Sequence, residues 1–142
     1  MAFIKWTPEL SVGIPDIDQQ HRRLLEIMSR LHDVILDGGA PKDVSRALEE
    51  VVAYAQHHFS FEERMLGGSQ YPFLEEHRRK HRAMFAEIEV YQERATDDPA
   101  ALDLTLMNFL RGWILRHILH TDKRYTPYLT APVGAELSGA RL

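Results

Sequence analysis

The sequence contains no cysteine, which excludes disulfide bonds, thiolate-bound zinc and iron–sulfur clusters. It also has no run of eighteen or more apolar residues, so neither a transmembrane helix nor membrane insertion is expected. The first ten residues, MAFIKWTPEL, lack the basic stretch and apolar core of a signal peptide. A cytoplasmic location is therefore expected.

A surplus of positive charge is also lacking. The formal net charge is -4 and the pI is near 6.0, so no nucleic-acid partner or anionic membrane surface is expected. The 142 residues are 44% hydrophobic and 27% charged, which is the composition of one globular domain. The residue type present in excess is histidine, with eight copies.

Turn signals divide the first half of the chain into two long segments. Asp16 is predicted to be the N-cap of a first helix, which runs to the glycine pair at 38–39. Pro41 suits the first turn of a second helix, which is predicted to end at the glycine pair at 67–68.

The second half of the chain divides in the same way. The stretch YPFLEE, residues 71–76, begins a third helix that is predicted to stop near Thr96. Asp98 and Pro99 are predicted to be the N-cap and first residue of a fourth helix, which ends before Pro127.

Apolar residues recur within each segment at alternating steps of four and three, as in Val44, Leu48, Val51 and Ala55. This is the period of an amphipathic helix, and the alternation typical of a strand is not seen. Four such helices joined by short loops predict an all-α fold, an up-down-up-down antiparallel four-helix bundle.

The chain 1–142 is accordingly predicted to be one domain. Its parts are an N-terminal arm at 1–15, the four-helix bundle at 16–126 and a short C-terminal tail at 127–142. The arm is too short for a domain of its own, and its hydrophobic residues are expected to pack against the bundle.

The core-facing stripes carry ionisable residues as well as apolar ones. In the second helix the stripe passes through His58 and Glu62. The adjacent His57 and Glu63 fall beside it, because successive residues of a helix point about 100° apart. The stripes of the other three helices carry four more histidines: His21, His77, His81 and His117.

These inward-facing groups suggest a metal site. Burying them without partners costs about 1–3 kcal/mol each, whereas one cation can bind several neutral imidazoles at once. The pairs His58/Glu62 and His77/His81 are both at i, i+4, which places two donors on one helix face. Five imidazoles with few carboxylates favour a first-row transition metal over calcium or magnesium. Two metals bridged by carboxylate is the interpretation that uses all of these donors.

The spacing in the fourth helix does not decide which of its residues joins Glu62 at the site. In an ideal helix Asp122 lies about 140° from His117, whereas steps of three or four lead to His120 or Thr121. Measured from an inward-pointing Ile114, His117 and Asp122 lie about 60° and 80° to opposite sides, so both can reach a central site. The pattern alone leaves His120 and Asp122 open.

With these motifs the sequence resembles the hemerythrins, most closely the single-domain bacterial members. The resemblance extends over nearly the whole chain, through W…VGI…D…QH, HFSFEE…M, YPFLEEHRRKH and W…HI…D. The family pattern is a single histidine in helix one, HxxxE in helix two, HxxxH in helix three and HxxxxD in helix four. Every element is present here in that order.

The resemblance implies a non-haem di-iron centre with an oxo or hydroxo bridge. Three histidines are implied to hold one iron: His77, His81 and His117. Two are implied to hold the other: His21 and His58. Glu62 and Asp122 would bridge both ions, which favours Asp122 over His120. The second iron, with only two histidines, would keep an open position for dioxygen.

Neighbouring ionisable residues are expected to contribute less. His57 is predicted either to lie at the helix surface or to contact a metal ligand from outside, and Glu63 is predicted to be solvated. For His120 a hydrogen bond near the site is the alternative to exposure at a helix end, and exposure is expected. Asp18, three residues before His21, either accepts a proton from that imidazole or favours the positive end of the first helix. The sequence leaves these two roles open.

The expected function is reversible dioxygen binding by a protein that is not an enzyme and that carries, stores or delivers oxygen, with an unidentified protein as recipient. A di-iron oxidase is one alternative, but the carboxylate-rich, ferritin-like enzymes use Glu-x-x-His pairs and this sequence has none. An oxygen or redox sensor module is the other alternative. Sensor hemerythrin domains are usually fused to signalling domains, for which 142 residues leave no room.

Overall fold

The computed structural model describes residues 3–130 and contains four long helices. They are α1 (Pro15–Leu36), α2 (Pro41–Gly68), α3 (Leu74–Asp97) and α4 (Leu104–Arg116). No strand occurs in this part of the chain. None of the helices within it combines the length and apolar character that crossing a membrane requires.

Helical structure continues beyond α4 in three short pieces. A π-helical turn, His117–Thr121, is followed by a 3-10 turn, Asp122–Tyr125, and by a short helix α5, Thr126–Thr130. Two further 3-10 turns, Pro8–Leu10 and Pro99–Ala101, precede α1 and α4.

The four long helices form the predicted antiparallel bundle, and the all-α fold class is confirmed. α1 contacts α2 and α4, and α3 contacts the same two helices, so each helix lies beside its neighbours in a closed ring of four. The stripes at steps of three and four face a common core. Its fully buried members include Leu24, Met28, Leu48, Met84 and Leu110.

The predicted start of the first helix is two residues late. α1 begins at Pro15 with Ile14 as its N-cap, and Asp16 lies in the first turn without a capping hydrogen bond. Proline is favoured at the first helical position because its missing N–H has no partner there. α1 ends at Leu36, and the chain reverses through Gly38, which has a φ of 71°.

The predicted limits of the fourth helix differ from the observed ones by more residues than those of the first. The Asp98 carboxylate accepts a hydrogen bond from the Ala100 N–H at 3.2 Å, but this cap serves only a 3-10 turn. Asp103 is the cap of α4 and accepts from the Thr105 N–H at 2.8 Å. At the other end, helical structure passes through Pro127, which stands in the first turn of α5, where proline needs no hydrogen-bond partner.

Residues 3–13 lie against the bundle. Phe3, Ile4, Leu10 and Val12 are buried, and the Thr126 hydroxyl donates to the Val12 carbonyl at 2.8 Å. The tail predicted at 127–142 is described only as far as residue 130. Its remaining residues, with residues 1–2, lie outside the described part of the chain.

Candidate metal centre

All seven side chains predicted as metal ligands meet at one end of the bundle. They are His21, His58, Glu62, His77, His81, His117 and Asp122, and none is more than 4% exposed. α1 and α3 contribute residues near their N-termini, whereas α2 and the end of α4 contribute residues near their C-termini. Because alternate helices run in opposite directions, these four positions lie at the same level.

The donor atoms form two groups that share the same two carboxylates. One group contains Glu62 and Asp122 with three histidines, His77, His81 and His117. The other contains the same carboxylates with two histidines, His21 and His58. Within each group the candidate ligand atoms lie within 4.8 Å of one another.

Each carboxylate turns one oxygen towards each group. Glu62 Oε1 lies 2.8 Å from His77 Nε2 and 3.1 Å from His81 Nε2, while Glu62 Oε2 lies 3.7 Å from His58 Nε2. Asp122 Oδ1 lies 3.1 Å from His77 Nε2. The opposite oxygen, Asp122 Oδ2, lies 3.0 Å from His21 Nε2. Both carboxylates are therefore placed to bridge two positions.

The π-helical turn explains how His117 and Asp122 reach one site despite a separation of five residues. The Asp122 N–H donates to the His117 carbonyl, a hydrogen bond that spans five residues, and also to the Ile118 carbonyl. The turn is wider than an α-helical turn, so residues five apart come to lie on one side. Asp122 Oδ1 is 3.0 Å from His117 Nε2, whereas His120 is exposed.

The two carboxylates are held in their ionised form. Burial and mutual repulsion act to raise the pKa of Glu62, but hydrogen bonds from His77 and His81 outweigh them and hold it well below its usual range. The pKa of Asp122 is also lowered, because contacts with His117, His21 and His77 outweigh burial. Both groups can therefore act as anionic ligands at neutral pH.

The imidazoles fall into two classes. Burial lowers the pKa of His58 to about 4, and it also lowers the pKa of His117. Burial opposes the charged form of His77 as well, but Asp122 and Glu62 outweigh it and raise that pKa to about 9. The pKa of His21 is raised against burial, chiefly by Asp122. Metal binding must displace the proton that His77 holds at neutral pH, so metal affinity should rise with pH.

Unsatisfied atoms indicate that these residues fit a metal. Among residues 3–130, four buried atoms facing the centre lack a hydrogen-bond partner: His21 Nε2, His58 Nε2, Asp122 Oδ1 and Asp122 Oδ2. Buried polar atoms are usually hydrogen-bonded, because leaving them unpaired is costly. Imidazole nitrogens and carboxylate oxygens that converge in this way are suitable ligands for first-row transition metals.

Two outer hydrogen bonds orient the ligands. Gln20 Oε1 lies 2.7 Å from His58 Nδ1, and Glu63 Oε2 lies 2.7 Å from His81 Nδ1. The prediction that Glu63 is solvated is therefore wrong, since its side chain is only 26% exposed and fixes the orientation of a central imidazole. The position of Glu63 on α2 could not reveal this contact, because its partner, His81, is on the neighbouring helix α3.

The remaining neighbours have other roles. Asp18 lies in the first turn of α1, which is the second of the two roles left open for it, and it does not hydrogen-bond to His21. Its carboxylate accepts from the Ser11 hydroxyl at 2.5 Å and the Val12 N–H at 2.8 Å. It thereby fastens the N-terminal arm to α1. His57 is exposed, as predicted from its position beside the stripe.

Tyr125 is a contact of the site that the sequence patterns did not identify. Its hydroxyl donates to Glu62 Oε2 at 2.7 Å, and the residue is fully buried. Burial and the two carboxylates raise the pKa of the phenol, so it remains a hydrogen-bond donor. A signal was available in its position three residues after Asp122, on the same stretch of helical chain.

Replacing Tyr125 with phenylalanine is expected to weaken metal binding by the two-histidine group and to leave binding by the three-histidine group largely unchanged. A hydrogen bond to a charged acceptor contributes about 1.5–3 kcal/mol, so affinity for the second metal ion should fall by about tenfold or more. The measurement is an anaerobic metal titration with two resolved binding steps. Tyr128→Phe removes the same hydroxyl from a residue that is 48% exposed and should leave both steps unchanged. Equal effects of the two substitutions would contradict the role given to Tyr125.

Known proteins share this chain's sequence pattern and fold. The family described as Hemerythrin HHE cation binding domain matches residues 12–129. A Bacteriohemerythrin of Stenotrophomonas maltophilia is 34% identical over 131 residues, which are 92% of this chain and 84% of that protein. A Bacteriohemerythrin of Pseudomonas aeruginosa is 31% identical over 88% of this chain and 80% of its own length. A solved structure of wild-type hemerythrin has a TM-score of 0.84 at 25% identity, over 92% of this chain and all of that one.

Proposed function

The chain belongs to the hemerythrin family, and from this premise we propose that its buried centre holds two iron ions and binds dioxygen reversibly. His77, His81 and His117 would hold one ion. His21 and His58 would hold the other, and Glu62 and Asp122 would bridge them with an oxo or hydroxo group. Two ferrous ions supply the two electrons that reversible binding of dioxygen requires.

The proposal rests on one observation, the difference in the number of protein ligands between the two donor groups. The three-histidine group offers five protein ligands and the two-histidine group offers four, although they share both carboxylates. A metal ion held by the second group would therefore have one protein ligand fewer, which would leave room for a small ligand. His21 and His58 mark the side of the centre at which dioxygen would bind.

Aromatic rings shield the centre from water. Phe59 stacks on His81 with ring centroids 3.7 Å apart and an interplanar angle of 5°, and Trp113 stacks on His117 at 4.3 Å and 14°. Phe59 is itself only 2% exposed. Exclusion of bulk water favours release of the bound ligand over its protonation, which supports binding without turnover.

We infer a carrier, store or delivery protein rather than an enzyme, located in the cytoplasm and passing dioxygen to a protein partner. The imidazole-rich donor set supports this role over an oxidase, because five of its seven members are histidines.

The proposal is tested by loading the metal-free protein with ferrous iron under argon, then admitting air and returning to argon. We expect about two irons per chain, one for each donor group, and a visible absorption band that forms in air and vanishes under argon over repeated cycles. A single conversion to a stable diferric form with consumption of dioxygen would overturn reversible binding and favour an oxidase or a redox sensor.

Replacing His58 with alanine is expected to abolish the reversible band. His58 is one of only two histidines in the four-ligand group, so its loss leaves too few donors and the iron content should fall from two ions per chain towards one. Iron content and the absorption spectrum measure the effect. His57→Ala, a change of the adjacent exposed residue, should alter neither quantity. If the two variants behave alike, His58 does not face the centre.

A further inference from the structure

A crevice of about 380 Å³ lies between α3 and the end of α4, directly outside His117. The other residues that line it are Lys80, Ala83, Trp113, Arg116, His120 and Thr121. The metal centre behind it is buried, and His117 is only 4% exposed. The crevice is therefore a place where a partner can approach the centre closely without entering it.

Trp113 connects the crevice to the centre. Its half-buried indole lines the crevice and also stacks on His117, with ring centroids 4.3 Å apart and an interplanar angle of 14°. Electronic coupling between two groups that are not bonded falls steeply with the distance between them. The Trp113 and His117 rings are in stacked contact, so this distance is short. A redox group seated against Trp113 is thus coupled to a ligand of the three-histidine group.

The crevice carries positive charge. Lys80 and Arg116 line it, and the described lining contains no carboxylate. The Lys80 ammonium donates to the Thr121 hydroxyl at 3.2 Å, which holds it at the rim, although it also lies 3.6 Å from a Glu76 oxygen. Arg116 is exposed and forms no ion pair within residues 3–130.

This charge is local, because the chain as a whole carries a formal charge of -4. α3 changes sign along its length: residues 74–85 contain four Arg or Lys and two Glu, whereas residues 86–97 contain one Arg and four Asp or Glu. The charges of α3 therefore repel an acidic protein from the far end of this helix and attract it to the end that lies at the metal centre. Such asymmetry orients an encounter as well as accelerating it.

We propose that this crevice docks an acidic one-electron donor protein and that Trp113 couples the donor to His117 for reduction of the oxidised centre. The inference rests on the proposed iron centre. In each encounter the donor loses one electron and one ferric ion becomes ferrous, so two donor molecules restore the diferrous state, with protons from solvent compensating the charge. The indole supplies coupling only and is not itself oxidised.

The test uses the iron-loaded chain with a purified acidic flavodoxin. Binding of oxidised flavodoxin, which transfers no electron, is measured by calorimetry, and reduction of the diferric protein by flavodoxin hydroquinone is measured by stopped flow. At an ionic strength of about 10 mM, where surface charges are weakly screened, Arg116→Glu should weaken binding and lower the second-order rate constant by about tenfold. The limiting rate at saturation should stay the same. The matched control, Arg46→Glu, makes the same charge change on an exposed side chain in the first half of α2 and should alter neither quantity.

Trp113→Leu should lower the limiting rate at saturation several-fold, with a smaller effect on the dissociation constant than Arg116→Glu has, while Trp113→Phe retains more of that rate. Equal effects of Arg116→Glu and Arg46→Glu, or an unchanged limiting rate in Trp113→Leu, would overturn the proposal. Reduction by a small neutral quinol that matches flavodoxin in rate, with no effect of ionic strength on either, would also overturn it in favour of a small-molecule reductant. Failure of the proposed function is distinguishable, because it is recorded by the argon and air cycles and leaves flavodoxin binding intact.

Discussion

Replacing Glu62 with alanine is expected to reduce the metal content from two ions per chain to fewer than one. Glu62 belongs to both donor groups, and its two oxygens approach His77, His81 and His58 at 2.8, 3.1 and 3.7 Å. No other side chain in the described part of α2 can replace this bridge, because only Glu62 is a carboxylate on its inward face. The measurement is metal content per chain after anaerobic loading and removal of unbound metal.

The adjacent carboxylate provides the matched control. Glu63→Ala removes the hydrogen bond to His81 Nδ1 but no ligand atom, so two ions should still bind when metal is in excess. Loss of such an outer contact typically lowers metal affinity by about 10–100-fold. Helix content of both metal-free variants, measured by circular dichroism, should match that of the parent. Retention of two ions by Glu62→Ala, or equal metal loss in the two variants, would show that Glu62 does not bridge.

The contrast between Glu62 and Glu63 shows what the sequence could predict. Regular α-helices convert position into direction, so the steps of four and three in α2 separated His58 and Glu62 from His57 and Glu63 without any knowledge of the other helices. The same rule identified His21, His77 and His81. It also predicted the bundle, because four amphipathic stripes can be buried together only by packing against one another.

Contacts between helices were beyond that reasoning. The hydrogen bonds of Glu63 to His81 and of Tyr125 to Glu62 each join residues of different helical segments. Spacing within one segment can place Tyr125 on the same side as Asp122, but it does not identify the partner on another helix. The start of α4 was mispredicted for a different reason. Asp98 and Asp103 both cap helical turns, and the choice of which cap begins the long helix depends on the packing of the segment between them.

The end of α4 is the place where a regular helix is the wrong assumption. At about 100° per residue, Asp122 lies about 140° from His117 and points away from it. The structure instead contains a π-helical turn, which brings the two side chains to 3.0 Å. The family resemblance favoured Asp122 over His120, but only the turn supplies the physical reason. A π-helical turn needs support from tertiary contacts, and such turns are frequent at functional sites.

Inserting one alanine between Leu119 and His120 is expected to abolish metal binding in both groups. The added residue rotates everything that follows it by about 100° relative to His117. This carries the Asp122 carboxylate away from His21, His77 and His117, all of which it approaches within 3.1 Å. Metal content after anaerobic loading should fall to the level of Glu62→Ala, with the helix content of the metal-free protein largely retained.

Deleting His120 is the matched control, since it changes the length of the same segment by one residue in the opposite direction. His117 and the aspartate then stand four residues apart, and an ordinary α-helical turn places such a pair on one face, as it does for His58 and Glu62. The deletion should therefore retain much more metal than the insertion, although His120 is lost from the outer crevice. If instead the insertion binds two ions and the deletion binds none, the π-helical turn does not set the direction of Asp122. The π-helical turn already contains one residue more than an α-helical turn, and its greater width keeps Asp122 directed at the centre. We expect that a second additional residue cannot be accommodated in the same way.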